Sequence, residues 1–305
     1  MTKSLGKYFD SELVARIGKQ ELTARRIVDG FLAGKNRSSR HGFSVEFVEH
    51  REYSPGDDLR HLDWKVLGRM DRYYIKRYEE ETNITVILML DCSKSMLYGS
   101  DGATKFETAA TAATGLGHLL SHQRDAVGLL LFDEDIRMYV PPSARLSGLA
   151  NIVSKLQGTE VKGKSELEPI VRRISPELPG RCLFVLLSDL FVEGSQIDSA
   201  LKLLQFQGHD CVVLHTLDKA EKEFPFRQNM LFRGMEDGRE LLAEPQRLRE
   251  KYLEALDEYL AQVQKTCERS AFDYQQLIGG EPLAPILSKL LALRARRGQV
   301  AQRGR

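Results

Sequence analysis

The chain has 305 residues, 42% of them hydrophobic and 29% charged, the profile of an ordinary globular protein able to bury a sizeable core. Basic and acidic residues nearly balance, 44 against 43, so charge points neither to nucleic acid nor to an acidic membrane as the main partner. The longest apolar runs, Val86 to Leu90 and Cys182 to Leu187, are far too short to cross a bilayer, and residues 1–30 show no apolar leader core. Cys92, Cys182, Cys211 and Cys267 are widely spaced without a C-x-x-C pair, and read as reduced thiols of a cytoplasmic protein.

Residues 1–80 are expected to form an N-terminal α+β extension. Helical spacing runs through Leu13, Val14, Ile17, Leu22, Ile27 and Phe31, and strands are expected over 43–53 and 71–80. Residues 81–278 then alternate regularly. A strand at 84–91 precedes a helix at about 103–122, and a strand at 126–132 forms a hairpin with 136–140. Helices at 146–157 and 166–174 lead to an apolar strand at 181–188. A helix at 196–206, a strand at 211–217, a long helix marked by Leu248 to Val263 and a strand at 272–277 complete the series. A helix at 283–295 and a basic tail fill 279–305. Such alternation predicts an α/β fold with a doubly wound, mostly parallel sheet, whose ligands sit at the carboxyl ends of the strands.

The strand at 84–91 ends in Asp91-Cys92-Ser93-Lys94-Ser95, and the strand at 181–188 ends in Ser188-Asp189. Both acids therefore fall on one sheet edge. Between them, Gly163-Lys164-Ser165 places another hydroxyl on a loop. Two carboxylates and three hydroxyls suit a hard divalent cation, which takes oxygen ligands and keeps some positions for water or an incoming group. Few charged ligands leave such a cation electrophilic, open to a carboxylate from another protein. The competing interpretation takes Ser93 and Ser95 as turn and N-cap residues and both acids as ordinary strand ends.

Two further segments carry chemistry on paper. Gly158 to Ser165 satisfies the P-loop pattern G-x-x-x-x-G-K-[ST], the basis of an alternative as an ATPase using Lys164. However, Leu149, Ile152, Val153 and Leu156 before it are spaced as a helix, whereas a phosphate cradle needs a strand feeding the loop. The segment 47–64 is dense in charge and holds the single Trp. Arg51, Arg60, Asp57, Asp58 and Asp63 can pair there, with Tyr53 and Trp64 as apolar anchors.

The strand with Asp91-x-Ser93-x-Ser95, the later hydroxyl and Leu187-Ser188-Asp189 resemble the metal-ion-dependent adhesion site (MIDAS) of von Willebrand factor type A domains. That resemblance implies Mg2+, or else Mn2+ or Ca2+, on Asp91, Ser93, Ser95 and Ser165, with Asp189 acting through water. The usual second loop of that family reads Gly-Gly-Thr, so Gly163-Lys164-Ser165 is the nearest match and Thr159 its rival. Arg51-x-Tyr53, Gly56-Asp57-Asp58-x-Arg60-x-x-Asp63-Trp64 and Leu90-Asp91-x-Ser93-x-Ser95-Met96 together resemble the domain-of-unknown-function 58 family. It implies a type A-like domain acting as partner or adaptor of MoxR-type AAA+ ATPases or their clients. The resulting expectation is a non-catalytic protein-interaction module with no membrane span. A structural scaffold with a vestigial metal site stands as the further alternative.

Overall fold

A computed structural model of the chain describes residues 45–52, 66, 73–80, 84–100, 102–122, 124–178 and 180–287. The expected helix within 11–34 lies outside them, as do Tyr53, Asp57, Asp58, Arg60, Asp63 and Trp64. Arg51 falls in a strand whose backbone alone is described. The strands β1 (Val45–Glu52) and β2 (Tyr74–Glu80) pair antiparallel, with a bulge between Phe47 and Glu49.

The main sheet has six strands: β3 (Thr85–Asp91), β4 (Ala126–Phe132), β5 (Ile136–Ser143), β6 (Leu183–Ser188), β7 (Asp210–Leu217) and β10 (Asp273–Ile278). Their spatial order is β10-β7-β6-β3-β4-β5, all parallel except the edge strand β5, which returns from β4 as a hairpin. Chain order reverses between β3 and β6, so the two central strands diverge to opposite halves of the sheet. Their carboxyl ends flank the crevice where doubly wound sheets bind ligands.

Helices cover both faces. On one, α1 (Lys105–His122) and α2 (Leu146–Gln157) pack with Val86, Leu88 and Leu90; on the other, α3 (Leu167–Ile174), α4 (Gly194–Phe206) and α6 (Pro245–Arg269) pack with Ile87 and Met89. Both sets of β3 side chains are therefore buried, which is why the strand reads as an unbroken aliphatic run rather than an alternation. Each fully buried aliphatic side chain stabilises the fold by about 1.5–3 kcal/mol. Helix α1 brings small residues, Ala109, Ala112 and Ala113, against the sheet. Its first turn is fixed by a reciprocal cap: Thr104 Oγ1 accepts from Glu107 N at 3.1 Å, and Glu107 Oε2 accepts from Thr104 N at 2.9 Å.

The expected order of sheet strands and covering helices is thus the observed one. The last helix is described over 283–287 only. Between β7 and α6 lie a short helix α5 (Lys219–Glu223) and an antiparallel hairpin of β8 (Met230–Arg233) and β9 (Glu240–Ala243), which periodicity alone does not reveal. Among the described residues, no helix is long and apolar enough to cross a membrane.

Candidate metal centre

Asp91 closes β3, and Ser188 closes β6 beside it, since Leu90 and Leu187 are register partners. Asp91 and Asp189 are fully buried, Ser93 likewise, and Ser165 nearly so. The Ser188 hydroxyl donates to Asp91 Oδ2 at 2.6 Å and the Ser165 hydroxyl to the same oxygen at 2.7 Å. Asp91 Oδ1 accepts the Ser93 backbone N–H at 2.9 Å, and the Ser93 and Ser95 hydroxyls lie 3.1 Å apart.

Two loops are laced together to hold these groups. Lys162 N donates to Cys92 O at 2.8 Å and Lys94 N to Gly163 O at 3.0 Å. Gly163 has φ +81°, and a Cβ there would meet Asp133 Oδ2 at 2.9 Å, so glycine is the residue that lets this loop turn beneath Ser165. Of the two rival second-loop hydroxyls, Ser165 is the one that reaches Asp91. The Thr159 hydroxyl donates back to Lys155 O at 2.8 Å and closes the end of α2. The P-loop pattern fares differently: helix α2 feeds Gly158, and the next helix starts at Leu167, beyond Ser165. The strand–loop–helix geometry that aims backbone N–H groups at phosphate is absent at 158–165.

Asp189 sits in surroundings that spacing did not foretell. The ammonium of Lys105, itself 1% exposed, lies 2.7 Å from Asp189 Oδ2 and 2.8 Å from Glu221 Oε1. Its Nζ also stands 4.8 Å from the Phe191 ring centroid. Burial opposes the Lys105 charge, but Asp189 and Glu221 outweigh that and raise its pKa. Asp189 is therefore an ion-paired carboxylate, its other oxygen accepting Phe191 N at 3.3 Å. Glu221 is fixed in turn by a capping box with Asp218, whose side chain also receives the Ser100 hydroxyl at 2.6 Å. His215 Nε2 lies 2.8 Å from Asp189 O, which can only accept, so Nε2 carries the proton and Nδ1 accepts from the Tyr274 hydroxyl. Burial lowers the His215 pKa to about 4, leaving the ring neutral.

Asp91 has no such counter-charge: among the described residues no basic side chain pairs with it. Burial, with the nearby Asp189 charge adding, raises its pKa to about 6, and the surrounding hydroxyl and N–H donors pull it back only in part. Two carboxylates, Asp189 and Glu221, thus share the one ammonium and leave Asp91 without a counter-charge, an excess of negative charge that a buried site tolerates best with a cation. Among the described residues, no three His, Cys, Asp or Glu side chains converge closely enough to hold a metal. Any cation here depends on hydroxyls, and the cluster of Asp91, Ser93, Ser95 and Ser165 supplies them. Hard oxygen donors around one unneutralised carboxylate fit Mg2+. Cys92 is no rival ligand or nucleophile: burial, then Asp133 and Asp91, push its thiol up to about 12, and Sγ donates to Phe132 O.

Sequence reasoning missed Lys105, Ser188, Glu221 and His215. Ser188 alone was signalled, as the residue beside a predicted strand-end acid. Lys105 occupies a helix start, where a basic residue ordinarily faces solvent.

The uncharacterized protein Mb1516 of Mycobacterium bovis is 24% identical over 266 residues, covering 86% of this chain and 83% of that protein. The uncharacterized protein Rv1480 of Mycobacterium tuberculosis gives the same figures, 24% over 266 residues. Similar solved structures include the conserved hypothetical protein BatB from Bacteroides thetaiotaomicron (TM-score 0.49, 17% identity, 70% of this chain and 100% of that one). The SpRpn10 VWA domain is another (TM-score 0.41, 9% identity, 68% of this chain and 95% of that one). A family model described as "Protein of unknown function DUF58" matches residues 49–261, well over half of the 305, and the chain belongs to that family.

Proposed function

We propose that this chain is a non-catalytic protein-interaction module that engages an acidic residue of a protein partner through a Mg2+ site built on Asp91, Ser93, Ser95 and Ser165. The observation that carries this reading is Asp91 itself, a fully buried strand-end carboxylate ringed by hydroxyls, while the nearby ammonium is taken by two other acids. Mg2+ bound there supplies an electrophilic position that a partner's carboxylate can occupy. The chain's own residues do the rest. Asp91 contributes charge, the interlaced loops hold Ser93, Ser95 and Ser165 in register, and the Lys105 pair keeps Asp189 close by without adding its full charge.

The family resemblance makes a MoxR-type AAA+ ATPase, or its client, the first partner to try. Pull-down of that partner by the native chain is expected in Mg2+ and lost in chelator. The double substitution Asp91→Asn with Ser93→Ala should lose it in Mg2+ while circular dichroism stays native. Equal capture in chelator contradicts the reading.

Lys105 favours one other reading, a scaffold in which the ammonium has replaced a cation and the site is vestigial. Failure of Mg2+ and Mn2+ to bind at millimolar concentration would support it.

A further inference from the structure

The β8–β9 hairpin, like α5 before it, is not revealed by periodicity, and its tip lines a cavity together with Ser95 of the candidate site. Met230 pairs with Ala243 and Arg233 with Glu240, leaving 234–239 as the turn. Gly234 N donates to Arg239 O at 2.7 Å, and Gly238 N to Gly234 O at 3.0 Å with Gly238 at φ +67°. A Cβ on Gly234 would meet Asp237 Oδ1 at 2.1 Å, so the turn closes tightly and presents Glu236 at its apex.

The base of the hairpin is anchored by aromatic packing. Phe232 stacks on Phe224 at 5.8 Å between centroids and meets Phe226 edge-on at 5.6 Å, while Phe224 stacks on Tyr252 at 4.4 Å. Leu231 and Leu242, paired on the face opposite Phe232, are exposed, as is Leu241 beside Phe232. A two-stranded hairpin of this kind is marginal by itself. Its tip nevertheless closes over a cavity of about 590 Å³ that Ser95, Tyr98, Lys105, Phe191 and Glu236 help to line.

Glu236 and Ser95 line the same cavity, and Ser95, Asp189 and Asp91 are all near enough to act on the Glu236 carboxyl. Its Oε1 is buried with no hydrogen-bond partner. A half-buried carboxylate with one oxygen unsatisfied carries a desolvation cost that a cation held at Ser95 would offset.

We propose that Glu236 is this chain's own carboxylate for the site, so that the hairpin acts as a displaceable internal competitor of the partner's acidic residue. The inference rests on the Mg2+ reading above and extends it. Ser95 would face the cation on one side and Glu236 on the other. The exposed leucines of β8 and β9 would give a partner an edge by which to peel the arm away.

Hydrogen exchange of the full chain, with Mg2+ or chelator and no partner, tests this beside calorimetric titration of Mg2+ alone. In the native chain Mg2+ should slow exchange of the 230–243 amides. Glu236→Gln should still bind Mg2+, weakened by about tenfold, but should lose that protection. A variant with Leu242→Ser leaves the carboxylate in place and should keep it. Mg2+ binding of equal affinity in native and Glu236→Gln chains, with no protection of 230–243 in either, overturns the inference while leaving the site reading intact. Absence of Mg2+ binding to the native chain overturns both.

Discussion

Two buried carboxylates mark opposite ends of β3, and they differ instructively. At the amino end, Asp125 precedes β4 and accepts the Ile84 backbone N–H at 3.0 Å; its second oxygen is buried without a partner. Among the described residues, no hydroxyl donates to it. At the carboxyl end, Asp91 is as deeply buried, yet Ser165, Ser188 and the Ser93 N–H all point at it, with the Ser93–Ser95 hydroxyl pair alongside. Burial is the leading cause of the raised pKa at both, to about 7 for Asp125 and about 6 for Asp91. Burial therefore does not separate a site from a structural acid. The convergence of oxygen donors from three loops does.

The largest expected effect tests the ammonium that neighbours only the carboxyl end. Lys105→Met strands Asp189 without a counter-charge in a fully buried position and should destabilise the fold by about 3–5 kcal/mol in urea denaturation. Adding Asp189→Asn should recover part of that loss. No recovery would mean that Lys105 acts through packing or through Glu221 rather than through Asp189.

A second effect probes the amino end. Asp125 holds its proton more tightly folded than unfolded, since about 7 lies above the usual 3.8. Its stabilising contribution is therefore complete below about pH 4 and is lost as pH rises through about 7, by up to about 1.4 kcal/mol for each pKa unit of that displacement. Asp125→Asn cannot ionise, so its stability should fall less between pH 4 and pH 8 than that of the native chain. Parallel curves would show that Asp125 ionises freely in the fold.

The smallest effect separates the two second-loop hydroxyls. Ser165→Ala removes a donor to Asp91 and should weaken Mg2+ binding by about tenfold, with a stability change near 1 kcal/mol. Thr159→Ala should leave Mg2+ affinity unchanged, because that hydroxyl is turned to Lys155 O. The reverse pattern would move the second loop's contribution to Thr159.

Much of this comparison was legible in the sequence. An aliphatic run that stops at Asp91-Cys92-Ser93 announces a buried parallel strand meeting its loop, and the second acid at Asp189 follows the same rule. Helix α2 could be read from Leu149, Ile152, Val153 and Leu156, which is why the P-loop pattern after it lacked its feeding strand. Other features were not legible, for physical reasons. Lys105 stands at the first position of a capped helix, and only the tertiary approach of β6 and α5 makes it a buried partner of Asp189 and Glu221. The β8–β9 strands are four residues each, too short for alternation to stand out, so Glu236 had no element to sit on. The choice between Ser165 and Thr159 hung on a turn at Gly163 that spacing does not specify.

The most direct test of the central claim sets the two ends of β3 against each other in one experiment. Mg2+ is titrated calorimetrically into the native chain, Asp91→Asn and Asp125→Asn, each checked for native circular dichroism. The account predicts saturable binding to the native chain and to Asp125→Asn, and none to Asp91→Asn. Binding that survives Asp91→Asn unchanged, or no binding to the native chain at millimolar Mg2+, would contradict it.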